Sequence, residues 1–157
     1  MIWIDYREKK FKHITDYFEA NNIEFECGHK ISFGDYRNKE DNGVCVERKA
    51  NFQELSANCG KKHKQFKNEL ERLKASGGKM YVLIENNKTL DDVKSYVSPY
   101  QTYFKTKSGN IYNTTIDGLK MHNILVKWKE HYNIEYVFCD RKDSGKIIKE
   151  LLEKGND

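Results

Sequence analysis

The run Met80-Tyr81-Val82-Leu83-Ile84 is almost wholly apolar, opens after Gly77-Gly78 and closes at Glu85. A strand without polar alternation is covered on both faces, so this segment predicts the centre of a sheet with helices above and below it. The rest of the chain supplies them. Met1 to Asp5 reads as a first strand, and a helix follows with Phe11, Ile14 and Phe18 on one face. Asn21-Asn22 ends that helix before a strand from Ile23 to Cys27. Two short strands come next. One carries Ile31, Phe33 and Asp35 on a shared face, the other runs from Gly43 to Lys49, and the polar turn Arg37 to Asn42 joins them. A short helix from Phe52 to Asn58 leads into a basic loop, and a longer helix points Phe66, Leu70 and Leu73 inward before stopping at Gly77-Gly78. Beyond the central strand the pattern predicts a polar helix from Thr89 to Ser95, then an irregular stretch past Pro99 to about Gly118. A helix with Met121, Leu125, Trp128 and Tyr132 on one stripe follows. A strand from Ile134 to Phe138 and a terminal helix lined by Ile147, Ile148, Leu151 and Leu152 complete the chain. Such alternation predicts an α/β/α sandwich around a central mixed sheet. With no repeat, low-complexity segment or linker, a single domain over residues 1–157 is expected.

The chemistry concentrates at two strand ends. Glu47 and Lys49 are two residues apart, so on a strand they share a face, while Val44 and Val46 alternate with them toward a core. Asp35 ends the preceding strand. Two carboxylates can hold a hard divalent cation such as magnesium or manganese, completed by a backbone carbonyl beside Glu47 and by water. A lysine beside them positions the attacking water and offsets charge on phosphoryl oxygens. That is the chemistry of phosphodiester hydrolysis. Arg48 alternates to the other face, and geometry alone does not select it.

Gly34-Asp35 followed by Glu47-Arg48-Lys49 resembles the G-D…E-R-K core of the XPF-type (xeroderma pigmentosum group F) structure-specific endonucleases, a branch of the PD-(D/E)XK nuclease superfamily. Ile2-Trp3-Ile4-Asp5-Tyr6-Arg7-Glu8 is similar to that family's opening strand, an apolar run ending in D-x-R-E. The resemblance covers roughly the whole chain, best from Met1 to Glu85. It implies a restriction-endonuclease-like fold and a magnesium- or manganese-dependent DNA endonuclease acting on flaps, forks or junctions in repair, recombination or phage DNA metabolism. Asp35 and Glu47 are the implied metal ligands and Lys49 the catalytic lysine. Arg48 is implied to organise the site or bind phosphate, and Asp5 and Glu8 to add outer-sphere contacts or a second cation site. Arg7 reads either as a salt-bridge partner or as a DNA contact. The family motif usually ends E-R-K-x-x-x-D, whereas this chain has Gln53 there and Glu54 next, so the last acid is either absent or displaced by one residue. The chain looks like the short stand-alone members from bacteriophage and bacterial genomes, and the resemblance also implies a homodimer.

Composition agrees with a DNA partner. Charged residues make up 33% of the chain and aromatic residues 13%, too many aromatics for a disordered polymer. Lys61, Lys62, Lys64, Lys67, Arg72, Lys74 and Lys79 face only Glu69 and Glu71 between Gly60 and Lys79, an excess suited to phosphate contacts. Tyr96, Tyr100, Tyr103, Phe104 and Tyr112 interleave with Lys105 and Lys107, where aromatics either stack on unpaired bases or pack a long loop down. Cys27, Cys45, Cys59 and Cys139 form no C-x-x-C pair, and Gly60 interrupts the Cys59–His63 spacing, so neither a disulfide framework nor a zinc site is expected. His13, His29, His122 and His131 show no ligand spacing and receive no role. With no apolar run near the ~20 residues of a membrane span and no secretory pattern, an intracellular setting away from any membrane is expected, and the resemblance implies the cytoplasm of a bacterial or phage-infected cell.

Two further readings stay open. The chain could be a catalytically silent DNA-binding or scaffold subunit of a nuclease complex, or a nuclease working on ordinary duplex.

Overall fold

A computed structural model describes residues 1–98, 103–113 and 116–155; at 103, 104, 112 and 113 only the backbone is described. Six strands form one mixed sheet: β1 (Ile2–Asp5), β2 (Phe25–His29), β3 (Tyr36–Asn38), β4 (Val44–Lys49), β5 (Lys79–Ile84) and, at the far edge, Ile134–Phe138. A separate two-stranded ribbon joins β6 (Tyr103–Lys105) to β7 (Ile111–Asn113), which makes the edge strand Ile134–Phe138 β8. The sheet order is β2-β1-β3-β4-β5-β8. Within it β1/β2, β4/β5 and β5/β8 are parallel, and β1/β3 and β3/β4 antiparallel. The helices are α1 (Lys12–Ala20), α2 (Phe52–Cys59), α3 (His63–Ser76), α4 (Gly118–His131) and α5 (Ser144–Glu153).

The apolar run of β5 has the expected cause. Tyr81 and Leu83 pack with Ile14 and Phe18 of α1 and Ile148, Leu151 and Leu152 of α5. Met80, Val82 and Ile84 pack with Leu55, Leu70, Leu73 and Leu125 from α2, α3 and α4. Each face of the strand therefore belongs to a different core, and the molecule is an α/β/α sandwich of restriction-endonuclease-like form. Among the described residues, no helix is long and apolar enough to cross a membrane.

Three local differences from the sequence pattern have physical reasons. The strand expected at Ile31–Asp35 is a bent loop, because two of its backbone donors go to side chains: Ile31 N–H to Asp5 (2.9 Å) and Gly34 N–H to Glu69 (3.0 Å). The expected turn at Arg37 is instead part of β3, and the reversal occurs after it, where Asp41 Oδ1 accepts from Gly43 N–H at 2.9 Å. The irregular stretch before Gly118 contains the β6–β7 ribbon, whose Lys107-Ser108-Gly109-Asn110 turn is closed by Thr106. Of the aromatic segment there, Tyr100 and the side chains of Tyr103, Phe104 and Tyr112 lie outside the described residues. Tyr96 packs edge-on against Phe52, with centroids 6.3 Å apart.

Gly34 is the backbone feature that matters most for the site. It has φ +68°, and a Cβ there would sit 2.9 Å from the Val46 carbonyl oxygen. Gly77, the αL cap of α3, has φ +72° but open space around it. Gly34→Ala should therefore destabilise the chain by about 1–3 kcal/mol, more than Gly77→Ala, which faces backbone strain alone. Urea unfolding of the two variants measures the difference, and equal losses would show that the close approach to β4 carries no energy.

Candidate active site

The tight fit of Gly34 on β4 places Asp35 between two strands. Its N–H donates to Val46 O and its C=O accepts from Asp5 N–H, both at 2.8 Å, so backbone bonds to β4 and β1 fix its position. The Asp35 carboxylate accepts from the Arg48 amide at 2.8 Å through Oδ2, and Oδ1 takes no hydrogen bond from a described residue. Glu47 and Lys49 lie on the same face of β4, and Lys49 Nζ donates to Glu47 Oε1 at 2.7 Å. All three line a polar cleft of about 430 Å³ with Glu8, Glu54, Asn58 and Glu69. Arg7, Lys9 and Lys62 stand along the same cleft.

Cations and carboxylates share this cleft, and within it Asp35 and Glu69 each feel neighbouring carboxylates. Burial, reinforced by the nearby Glu47 and Glu8 carboxylates, pushes Asp35 well above the ordinary carboxylate range. Burial and Glu47 likewise raise Glu69, despite the Gly34 amide that its carboxylate accepts. Burial works against the Lys49 ammonium, but Glu47 outweighs it, so Lys49 holds its proton more firmly than a free lysine.

Arg48 faces the other way, continuing the Val44–Val46 side of β4 as the strand period requires. Its side chain is only 5% exposed. The guanidinium donates twice to Glu8 (Nε and Nη2, each 2.8 Å), once to Lys9 O (2.7 Å) and once, through a short bond, to Glu85 Oε1. The second Glu85 oxygen pairs with His13 Nε2 at 2.6 Å and accepts from Ser144 Oγ at 2.7 Å. Burial alone would raise Glu85, but the Ser144 hydroxyl, Arg48 and His13 together hold it below the ordinary value. This network ties β4 and β5 to α1 and α5 immediately beneath the cleft.

The remaining sequence candidates divide. Asp5 is buried, and its carboxylate is occupied by Ile31 N–H and by Arg7, whose Nε lies 2.7 Å away and whose amide also donates. Although burial opposes it, the Arg7 pairing keeps Asp5 below the usual range. Arg7 is thus a salt-bridge partner, yet its side chain stays 54% exposed along the cleft. Glu54 forms a helix cap: its N–H donates to Asn51 Oδ1 and its Oε2 accepts from Ala50 N–H, both at 2.9 Å. Gln53 is exposed. Lys61, Lys62 and Lys64 are exposed around the start of α3, but only Lys62 borders the cleft, while Lys67 lies on the opposite flank of that helix. Cys59 belongs to the core, and His63 stacks on Trp128.

The pattern missed Glu69, Glu85, His13 and Ser144. Glu69 had a signal: it shares a helical stripe with Phe66 and Leu73, where an acid at the edge of an apolar face needs a partner. Glu85 had one too, as a carboxylate directly closing a doubly covered strand.

Among the described residues, no three His, Cys, Asp or Glu side chains form a ready metal cage. A magnesium-class ion does not need one, since it keeps several waters and takes one or two carboxylates. Asp35, crowded by like charge, and Glu47, whose partner is a displaceable ammonium, fit that requirement.

No curated protein sequence matches the chain. The family model for the ERCC4 domain does match, over residues 4–151, nearly the full length. That span takes in both acids, the E-R-K strand, helices α1 to α4 and most of α5, and the chain belongs to the ERCC4 domain family of DNA nucleases.

Proposed function

We propose that the protein is a divalent-metal-dependent DNA endonuclease that hydrolyses phosphodiester bonds at branched or otherwise structured DNA. One observation carries this reading: Asp35, Glu47 and the Lys49 ammonium line one polar cleft, where the Asp35 carboxylate keeps Oδ1 clear of hydrogen bonds from described residues. Asp35 and Glu47 would hold magnesium or manganese. When bound, that ion supplies Lewis-acid activation of water and neutralises charge on the phosphoryl oxygens. Lys49, firmly protonated, acts as a fixed charge beside the scissile phosphate rather than as a base. Arg7, Lys9 and Lys62 bind flanking phosphates along the cleft. Arg48 touches no substrate in this scheme; it anchors Glu8 and presents its amide to Asp35.

A second reading, a silent DNA-binding subunit, draws support from Gln53 and from the commitment of Glu54 to a helix cap. Incubating supercoiled plasmid and matched linear, flap, fork and four-way-junction DNA with magnesium, manganese or EDTA separates the readings. The expected result is nicking with either metal, none in EDTA, and faster cleavage of branched DNA than of linear duplex. Tight binding without cleavage in either metal would establish the silent subunit, and equal rates on all substrates would remove the preference for structure.

A further inference from the structure

Helix α3 separates two hollows. Lys62, Gln65, Phe66 and Glu69 border the cleft of Asp35 and Glu47, whereas His63, Lys67, Glu71 and Lys74 border a groove of about 480 Å³ on the other flank. The far wall of that groove is α4, with Lys127, Trp128 and Tyr132. Its floor is firm. Trp128 and Tyr132 are buried, His63 stacks on Trp128 with centroids 5.5 Å apart, and Lys74 Nζ lies 5.9 Å over the Tyr132 ring. Its rims are cationic on both sides. Lys67, Lys74 and Lys127 are exposed, and none forms an ion pair among the described residues. Glu71 alone opposes them, and its carboxylate already accepts the Tyr132 hydroxyl through a short bond.

Ammonium groups on facing walls of a concave, partly apolar channel concentrate positive potential along its axis. From Lys67 to Lys74 the helix rises about 10 Å, a length comparable with three successive nucleotides at about 3.4 Å each. Exposed Lys61 and Lys64 lie near the start of α3, where a strand leaving the cleft would pass from one flank to the other. We propose that this groove is a second nucleic-acid site, which grips the phosphodiester backbone of a branch arm while the cleft holds the strand to be cut. The proposal rests on the DNA-endonuclease reading above and gives it a physical basis for preferring branched substrates.

Fluorescence anisotropy in EDTA tests it, with a labelled fork and a linear duplex of equal length. The probes are the wild-type chain, a Lys74→Ala/Lys127→Ala pair and a Lys74→Arg/Lys127→Arg pair. The alanine pair should bind the fork on the order of tenfold more weakly, and the slope of log K against log salt should flatten by about 1.8. Linear duplex binding should fall less than twofold, and the arginine pair should restore fork affinity. Unchanged fork binding by the alanine pair overturns the proposal. So does an equal loss on both DNAs, which would make the lysines part of the cleft's own footprint. Failure of arginine to restore binding, or displacement of the fork by polyglutamate as readily as by unlabelled DNA, also overturns it. Because binding is read without cleavage, a chain that never nicks DNA still gives an answer about the groove, and an active nuclease with an indifferent groove loses this proposal alone.

Discussion

Asp35→Asn should abolish metal-dependent nicking, with a loss of at least roughly 10³-fold, the scale of removing a group that organises charge in the transition state. The same substitution should make the metal-free chain more stable at neutral pH. Burial beside Glu47 and Glu8 raises the folded-state carboxyl above its ordinary value of 3.8, so protonation favours the fold. That contribution is fully present below the unfolded value and is lost as pH rises through the raised folded one. The Asn variant carries no charge to lose. Its advantage in Tm should be greatest near neutral pH and should vanish as the pH falls below about 4. In a chain of this size each kcal/mol of relieved repulsion corresponds to roughly 2–4 °C. Magnesium should reverse the ranking by stabilising the wild type and leaving Asp35→Asn unmoved. Thermal melts of both proteins at several pH values, with and without magnesium, measure all of this. A variant that nicks normally, or melts lower than wild type across the whole pH range, would remove Asp35 from the metal site.

The sandwich was legible because its signals are local. An unbroken apolar strand, helical stripes such as Phe66-Leu70-Leu73 and the Gly77 cap each record burial or backbone geometry in a few adjacent residues. The shared face of Glu47 and Lys49 was legible for the same reason, since strand alternation places them together, whereas Asp35 reaches the same cleft from a bent loop and not from the strand end its pattern predicted. What stayed hidden depends on distant pairing. Nothing near Ile31 announces that its amide turns to Asp5, 26 residues away, instead of to a strand partner. Glu69 reaches Gly34 across 35 positions, and His13 reaches Glu85 across 72. His13 looked idle because histidine roles are read from ligand spacing, whereas its partner here is a single carboxylate brought up by the central strand. The basic stretch was visible as charge, but only the packing of α3 between two hollows divides Lys62 from Lys67.

Arg48→Ala should cause the largest loss of stability, about 3–5 kcal/mol, the usual effect of removing one partner from a buried ion pair. Glu8 and Glu85 would remain beneath the sheet end with their guanidinium gone, and the Lys9 carbonyl would lose its donor. Arg48→Lys should fall between, because one ammonium cannot reproduce a fork that reaches Glu8 twice and Glu85 once. The pH dependence gives a second handle. In the wild type Glu85 lies below its ordinary 4.5, so its pairing contributes stability above the unfolded value that disappears as pH falls through the folded one. The deficit of Arg48→Ala should therefore be full at neutral pH and shrink in acid, where the stranded Glu85 carboxylate takes up a proton. Urea unfolding followed by circular dichroism at pH 7 and at pH 4 measures both effects. That outcome would mean that the central residue of E-R-K acts through architecture, holding Glu8 and the β4 backbone so that the amide it offers to Asp35 stays in place. An Arg48→Ala chain with wild-type stability and no nicking activity would contradict this, and would move the arginine from the scaffold to the phosphate.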